Sequence, residues 1–531
     1  MLFAVRVGEL LAASVAGPLD QRIGRRIVAE AAGNPLALVE FGGELTAVEL
    51  SGAALLGEPL RFGGRVEELY LSRVRALPHE AQMLLLLLAA AEPSGEPGKV
   101  WRAARQLGID PEGAELPAVE RLLTWAPRVQ FRHPLMRSAA YYAASAAARR
   151  RAHAALAAAT DPERDPDRRA WHLAGAVPGP DEQVAAELER SADRARSRGG
   201  WASRAAFLER AAELTPGRGR RAQRMLEAAG ARLLAGDMAA GRVLLEQAAP
   251  QLEDPLARGK ARRLEGLILY AAGELPKVPS VLLDAARMIA PYDTRLARDT
   301  LLEAFQTRQV SGWFSVAITE VLREVRSAPR VEDSQATVAD LLLDGFAAVG
   351  EHRYQDGAEL LRRAIARLIT SQPLPDDALQ FFNFICSAAL ALDDDSALHT
   401  LTHRSVTEAR GRGLLAATRV TLVFLAYSQL SEGRLADAEA TVAEGRALAE
   451  ATGNRATLGT ITAVGLAALA WRGREAESRP LAARLLRDFA VQGNGLNVRL
   501  AHQASRPSSW AWATTSRRCT TPSRPSTARP Y

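Results

Sequence analysis

The chain has 531 residues, of which 48% are apolar and only 5% aromatic, and it contains two cysteines, Cys386 and Cys519. Large cores are within reach, whereas a disulfide framework or a cysteine-rich zinc site is excluded. The net charge of +6 resides mostly in the last stretch, where Arg506, Arg517, Arg518, Arg524 and Arg529 meet no acid; without those five charges the body stands near +1, which argues against a broad nucleic-acid surface.

Alanine, leucine and arginine dominate, a mixture that favours stacked helices over sheets. The first 18 residues are mildly apolar but carry Arg6 and Glu9. They read as a helix of a folded domain and not as a signal peptide. The longest apolar run, Met83 to Ala91, is too short to span a bilayer. A reducing, cytoplasmic setting without membrane contact is the expectation.

Residues 1–62 hold two helical patterns, near 4–14 and 18–32, followed by a connection punctuated by Gly52, Gly57, Pro59, Gly63 and Gly64. Residues 63–145 predict a compact second unit, with helices near 65–77, 79–91, 98–107 and 115–124. The alternating run from Arg128 to Arg132 then reads as a strand before another helix, the plan of a winged helix.

From 146 to 500 the sequence is almost continuous amphipathic helix with short breaks. A repeat is visible at those breaks. Gly236 leads into Val243–Ala248, Gly273 into Val281–Ala285, and Arg353-Tyr354 into Leu360–Ala364, with His352 standing in the glycine's place. Gly433 and Gly473 continue the series. The spacing is near 40 residues or twice that, as in tetratricopeptide-like and related α-solenoids. After Ser505 the helical period stops, so residues 501–531 form a tail of different character. One reading is a disordered basic tail. The preferred one is a shifted reading frame, because the neighbouring frame from Ser509 to Cys519 accommodates another solenoid turn about 40 residues after Gly473.

The glycine–lysine pairs are Gly98-Lys99 and Gly259-Lys260. Neither has the following hydroxyl residue or the upstream glycine loop of a phosphate-binding loop. The chain is therefore not expected to act as an enzyme on nucleotide by itself. Two strings nevertheless point to a nucleotide. Ile27–Leu38, containing Ala32-Gly33-Asn34-Pro35-Leu36, resembles a stretch near the end of the ATPase module in the large ATP-binding LuxR-type transcriptional regulators of actinobacteria. These belong to the class of signal-transducing ATPases with numerous domains. Phe131–Tyr141, containing Arg132-His133-Pro134, is similar to the histidine motif of the winged helix in that class. Arg168–Leu173 and Ala205–Leu214 look like the first solenoid helices of the same regulators. The resemblance covers about residues 10–500 and implies that Gly33, Asn34 and Pro35 pack by the adenine of ATP or ADP. It also implies that His133 reaches the ADP phosphates, where a charge-assisted hydrogen bond would report the bound nucleotide.

The chain departs from the family in lacking the phosphate-binding loop, the acidic metal-binding strand and a carboxy-terminal LuxR-type helix-turn-helix. ATP hydrolysis and promoter binding then belong to full-length relatives, and nucleotide binding by this chain is expected to be weak or absent. The expected fold is all-α: a helical remnant of an ATPase module (1–62), a winged-helix-like unit (63–145) and a tetratricopeptide-like solenoid (146–500). The expected role is sensing and coupling, with a protein or small-molecule inducer on the solenoid and DNA reached only through the absent helix-turn-helix. A freestanding interaction scaffold is the competing reading, and direct DNA binding by the winged helix is a third. His399 and His403, with Asp393-Asp394-Asp395 nearby, read as solvated polar residues and not as a metal site. Trp171, Trp201, Trp313 and Trp471 read as core fillers. The clusters Arg149–Arg151 and Arg218, Arg220, Arg221, Arg224 read as solvated faces.

Overall fold

A computed structural model describes residues 71–91, 96–110, 119, 122–124, 129–132, 134–312, 318–329, 336–371, 381–411 and 415–505. Among them, the elements are helical apart from one two-stranded hairpin. No helix of the described residues is long and apolar enough to cross a membrane. The chain divides into two compact units: Met1–Ala195 with Ala206–Arg224, and Arg196–Ala205 with Met225–Tyr531.

The first unit is built on α1 (His79–Ala91). Leu84 through Leu88 are buried in succession, so beyond its polar first turn this helix shows no polar face and reads as a continuous apolar run from Met83. Around it pack α2 (Pro97–Gln106), α3 (Pro134–Ala143) and α4 (Ala146–Ala159). Proline sits at the start of α2, and Ser145 caps α4 by accepting from the Ala148 amide at 3.2 Å. Next come α5 (Pro166–Ala176), α6 (Glu182–Ser197), α7 (Trp201–Leu214) and α8 (Arg218–Leu234).

The hairpin pairs β1 (Leu123–Thr124) with β2 (Gln130–Phe131), antiparallel, Leu123 opposite Phe131. The sequence pattern extended a helix through 115–124, and its last two residues are strand instead. The backbone of Gln130 and Phe131 needs ladder partners, and Leu123 and Thr124 supply them. Arg132 fastens the end: its amide donates to Leu122 O at 2.9 Å and its Nε to Leu123 O at 2.8 Å.

The second unit is a run of helix hairpins. Its helices are α9 (Met238–Ala248), α10 (Pro255–Ala272), α11 (Val278–Ile289), α12 (Thr294–Ser311), α13 (Ile318–Ser327), α14 (Val338–Gly350) and α15 (Tyr354–Thr370). There follow α16 (Phe382–Ala391), α17 (Asp395–Gly411), α18 (Leu415–Ser431), α19 (Leu435–Ala451), α20 (Arg455–Trp471), α21 (Glu475–Gln492) and α22 (Gly495–Ser505). Side-chain caps start several of them, including Asp237, Asp254, Asp293 and Asn454, with a full capping box of Thr337 and Asp340 on α14.

A residue of positive φ closes the first helix of each hairpin: Gly236, Gly273, Gly312, His352, Asp393, Gly433 and Gly473, each 37–41 residues after the last. The repeat is thus regular, and the two long gaps in the sequence series are filled by Gly312 and Asp393. His352, at φ 64°, adopts the glycine-like conformation that its place in the series requires. Small residues bring paired helices together. A Cβ on Gly357 would lie 2.7 Å from Val349 Cγ2 and 2.9 Å from the Gly345 carbonyl oxygen.

The largest core of this unit gathers Leu302, Phe305, Leu342, Phe346, Phe382 and Ile385, with Phe305 and Phe346 stacked at 5.8 Å. The hairpins wind far enough to meet again. α10 packs on α20, and α12 on α22. Contact there is tight: a Cβ on Gly495 would lie 2.8 Å from Ser311 O, and one on Gly236 2.7 Å from Thr452 Cγ2.

Candidate functional site

The residues that the sequence resemblance singles out for nucleotide, Gly33, Asn34, Pro35 and His133, lie outside the described residues, as does Trp313. The stretch 1–62 and everything after Ser505 lie outside them too.

What the first unit does show is a buried polar chain that the sequence pattern does not signal. Tyr141 OH lies 2.9 Å from His153 Nε2, and His153 Nδ1 lies 3.1 Å from His172 Nδ1. Both imidazoles are buried, and Gly175 makes room for one: a Cβ there would come within 2.8 Å of the His153 ring. Burial, then the positive charges of Arg149 and Arg210, pull the His153 pKa down to about 4. Burial, then His153, Arg168 and Lys99, pull that of His172 down to about 3. The pair is neutral at pH 7, one ring donating the Nδ1 proton to the other.

Two sequence expectations are corrected here. Arg224 is not on a solvated face. It is 2% exposed and held by Glu182 at 2.8 Å, Glu189 at 2.7 Å and Thr215 Oγ1 at 2.5 Å. Its own carboxylates occupy it, so it is not offered to phosphate. Trp471, read as a core filler, is 67% exposed at the end of α20, whereas Trp171 does pack edge-to-face on Phe207. Trp471 is the last residue of α20 and runs into an exposed turn, Arg472–Arg474, that does not cover its ring. His399 Nδ1 sits 2.6 Å from Glu432 Oε1, with the His403 ring 4.4 Å from that of His399.

The feature that stands out chemically is a cavity of about 2280 Å³ inside the second unit. Trp201, Leu234, Phe424 and Tyr427 contribute apolar and aromatic lining, and Gln306 and Asn383, bonded to each other at 2.8 Å, a polar patch. Arg263 and Glu303 line it as a matched pair, 2.5 Å apart. Arg419 also lines it and is matched by no acid. Among the described residues, the other buried arginines each have a carboxylate within 4 Å: Arg204 with Glu227, Arg224 with Glu182, Arg232 with Asp237 and Arg298 with Asp340. Arg419 is 9% exposed and spends one bond on Thr452 Oγ1 at 3.1 Å, while its Nε is buried with no partner. Burial lowers its pKa to about 10, opposed only by the neighbouring Tyr270 phenol, itself raised by burial. Arg308, from α12, is a second cavity residue with a buried, unpartnered Nε and no ion pair. Burial lowers its pKa as well.

Sequence reasoning passed over Arg419, although a signal existed. It is the sole charged residue in the 17 of α18. A lone charge in an otherwise uncharged helix marks either a satisfied core ion or a group awaiting a partner.

Fold and cavity together define a class: an all-α, tetratricopeptide-like helical-repeat protein whose repeats wind around an arginine-bearing chamber. No family model matches the chain, and no curated protein matches it. Among solved structures it is similar to a Signal Transduction ATPase with Numerous Domains (STAND) protein with a tetratricopeptide repeat sensor from Pyrococcus horikoshii. Identity is 11% and the TM-score 0.39, over 93% of this chain and 67% of that one.

Proposed function

We propose that this chain is the sensing and coupling portion of an ATP-dependent regulator of the LuxR type, with the repeat unit as receptor. The observation that carries the reading is that the repeats meet again, α10 on α20 and α12 on α22, around a cavity large enough for a small-molecule inducer. A ligand touching both ends of such a winding favours the closed arrangement by its differential affinity, which is the physical requirement for a signal. In this reading residues 63–145 form the winged-helix joint, His133 faces nucleotide, and promoter binding belongs to a helix-turn-helix outside this sequence. Without a phosphate-binding loop the chain holds ATP weakly or not at all and does not hydrolyse it.

The test is a titration of the purified chain with fluorescently labelled ADP and ATP, repeated with His133→Ala. The expected result is weak or absent binding in both. Tight ATP binding would overturn the reading. A second reading, a freestanding scaffold for a protein partner, is favoured by exposed aromatics beside the hairpin turns, Tyr354 and Trp471.

A further inference from the structure

We infer that the chamber of the repeat unit takes a small organic anion, a carboxylate, sulfonate or phosphate ester on an apolar body. Its charged end docks on the Arg419 guanidinium, beside Tyr270 and Thr452. The inference rests on the receptor reading above and adds the chemical class of the ligand.

Three observations converge. The first is bookkeeping of charge: the four other buried arginines of the described residues are each matched by a carboxylate, and Arg419 is not. A guanidinium has five N–H donors, and Arg419 uses one within the chain. A buried cation left in that state is unfavourable, and an entering anion relieves the cost and gains charge-assisted hydrogen bonds. The second is placement. Arg419 comes from α18, Tyr270 from α10, and Thr452 follows α19, so an anion there ties early hairpins to late ones. Arg308 on α12 adds another unmatched cation to the same lining. The third is the rest of the wall. Trp201, Leu234, Phe424 and Tyr427 suit an apolar or aromatic body; of the acids in the lining, Glu303 is neutralised by Arg263, and Asp393 and Asp395 are exposed. At Arg419 itself a cation meets a like charge, and a neutral ligand leaves the guanidinium uncompensated.

The experiment uses two fluorescent probes with one aromatic body, anilinonaphthalene sulfonate and its uncharged relative phenylnaphthylamine. Each is titrated against the full chain, Arg419→Gln and Arg308→Gln, with circular dichroism checking that the helices persist. Arg419→Gln removes an unmatched buried charge and leaves no acid stranded, so folding is retained; Arg308→Gln is the second variant at a less buried position. The expected result is saturable binding of the sulfonate to the unaltered chain. Arg419→Gln then weakens it by about tenfold or more and leaves phenylnaphthylamine within about twofold. Arg308→Gln weakens the sulfonate less. If both probes bind and neither variant separates them, the anion inference is wrong while the receptor reading stands. If neither probe binds saturably to the unaltered chain, the receptor reading falls and the inference with it.

Discussion

Lowering the pH from 7.5 to 5 should loosen the first unit around α4 and α5, through the neutral pair His153 and His172. The sign follows from the shifts. Both folded pKa values lie below the ordinary 6.5, at about 4 and about 3. The unfolded chain therefore binds protons first, and the stabilisation present above pH 6.5 is lost as the pH falls toward those folded values. At pH 5 each histidine contributes a loss of about 2 kcal/mol, because 1.36 kcal/mol accompanies each pH unit below the unfolded pKa. The two rings share one hydrogen bond, so the losses overlap and the total lies between about 2 and 4 kcal/mol. Protonation also puts a charge beside Arg149, Arg210, Arg168 and Lys99, with the Tyr141 phenol in contact with His153. The measurement is amide hydrogen exchange of the peptides covering α4 and α5 at both pH values, corrected for intrinsic exchange. The double variant His153→Gln, His172→Gln should lose most of the pH dependence. Unchanged protection at pH 5, or an equal loss in the double variant, would refute the assignment.

Two further predictions concern the second unit. The carboxyl of Asp299 is pushed up to about 6 by burial, eased by Arg263 and reinforced by Glu303, so the folded state favours its protonated form and is destabilised as pH rises through 6. Asp299→Asn should therefore raise urea-measured stability at pH 7 by about 1 kcal/mol, discounted for its partial exposure, and have little effect at pH 4. His352→Gly should stabilise the unit by up to about 1 kcal/mol, since the left-handed backbone costs histidine and not glycine, and the bond lost, Nδ1 to Tyr354 OH at 2.8 Å, is exposed. Thermal melting of the variant checks it; a lower melting temperature would count against the argument.

The repeat was legible in the sequence because its turns need a special backbone conformation, which leaves a glycine at five of the seven positions, four of them (Gly236, Gly273, Gly433 and Gly473) singled out by pattern alone. His352 could be placed by register. Asp393 could not be named, since aspartate in a turn is ordinary chemistry and only the spacing points to it. Burial was less legible. Arg224 and its neighbours alternate with glycine and alanine on α8, and nothing local says that Glu182 and Glu189 of another helix will enclose one of them. Trp471 shows the reverse error, since a large aromatic promises a core that its place at the end of α20 does not provide. The candidate cavity belongs to no segment of the chain. The guanidiniums of Arg263, Arg308 and Arg419 and the phenol of Tyr270 come from α10, α12 and α18, and winding brings them to one chamber.

An open array of hairpins tolerates gain or loss of a unit, because each touches only its neighbours and the ends unravel on their own. The seam between Ser311 and Gly495, where not even a methyl group fits, removes that freedom. Deleting one 40-residue hairpin between α13 and α21 would leave the seam's two lips facing the wrong residues. The number of hairpins in this stretch is thereby fixed by geometry, and the region should gain or lose whole units far less readily in evolution than an unclosed array.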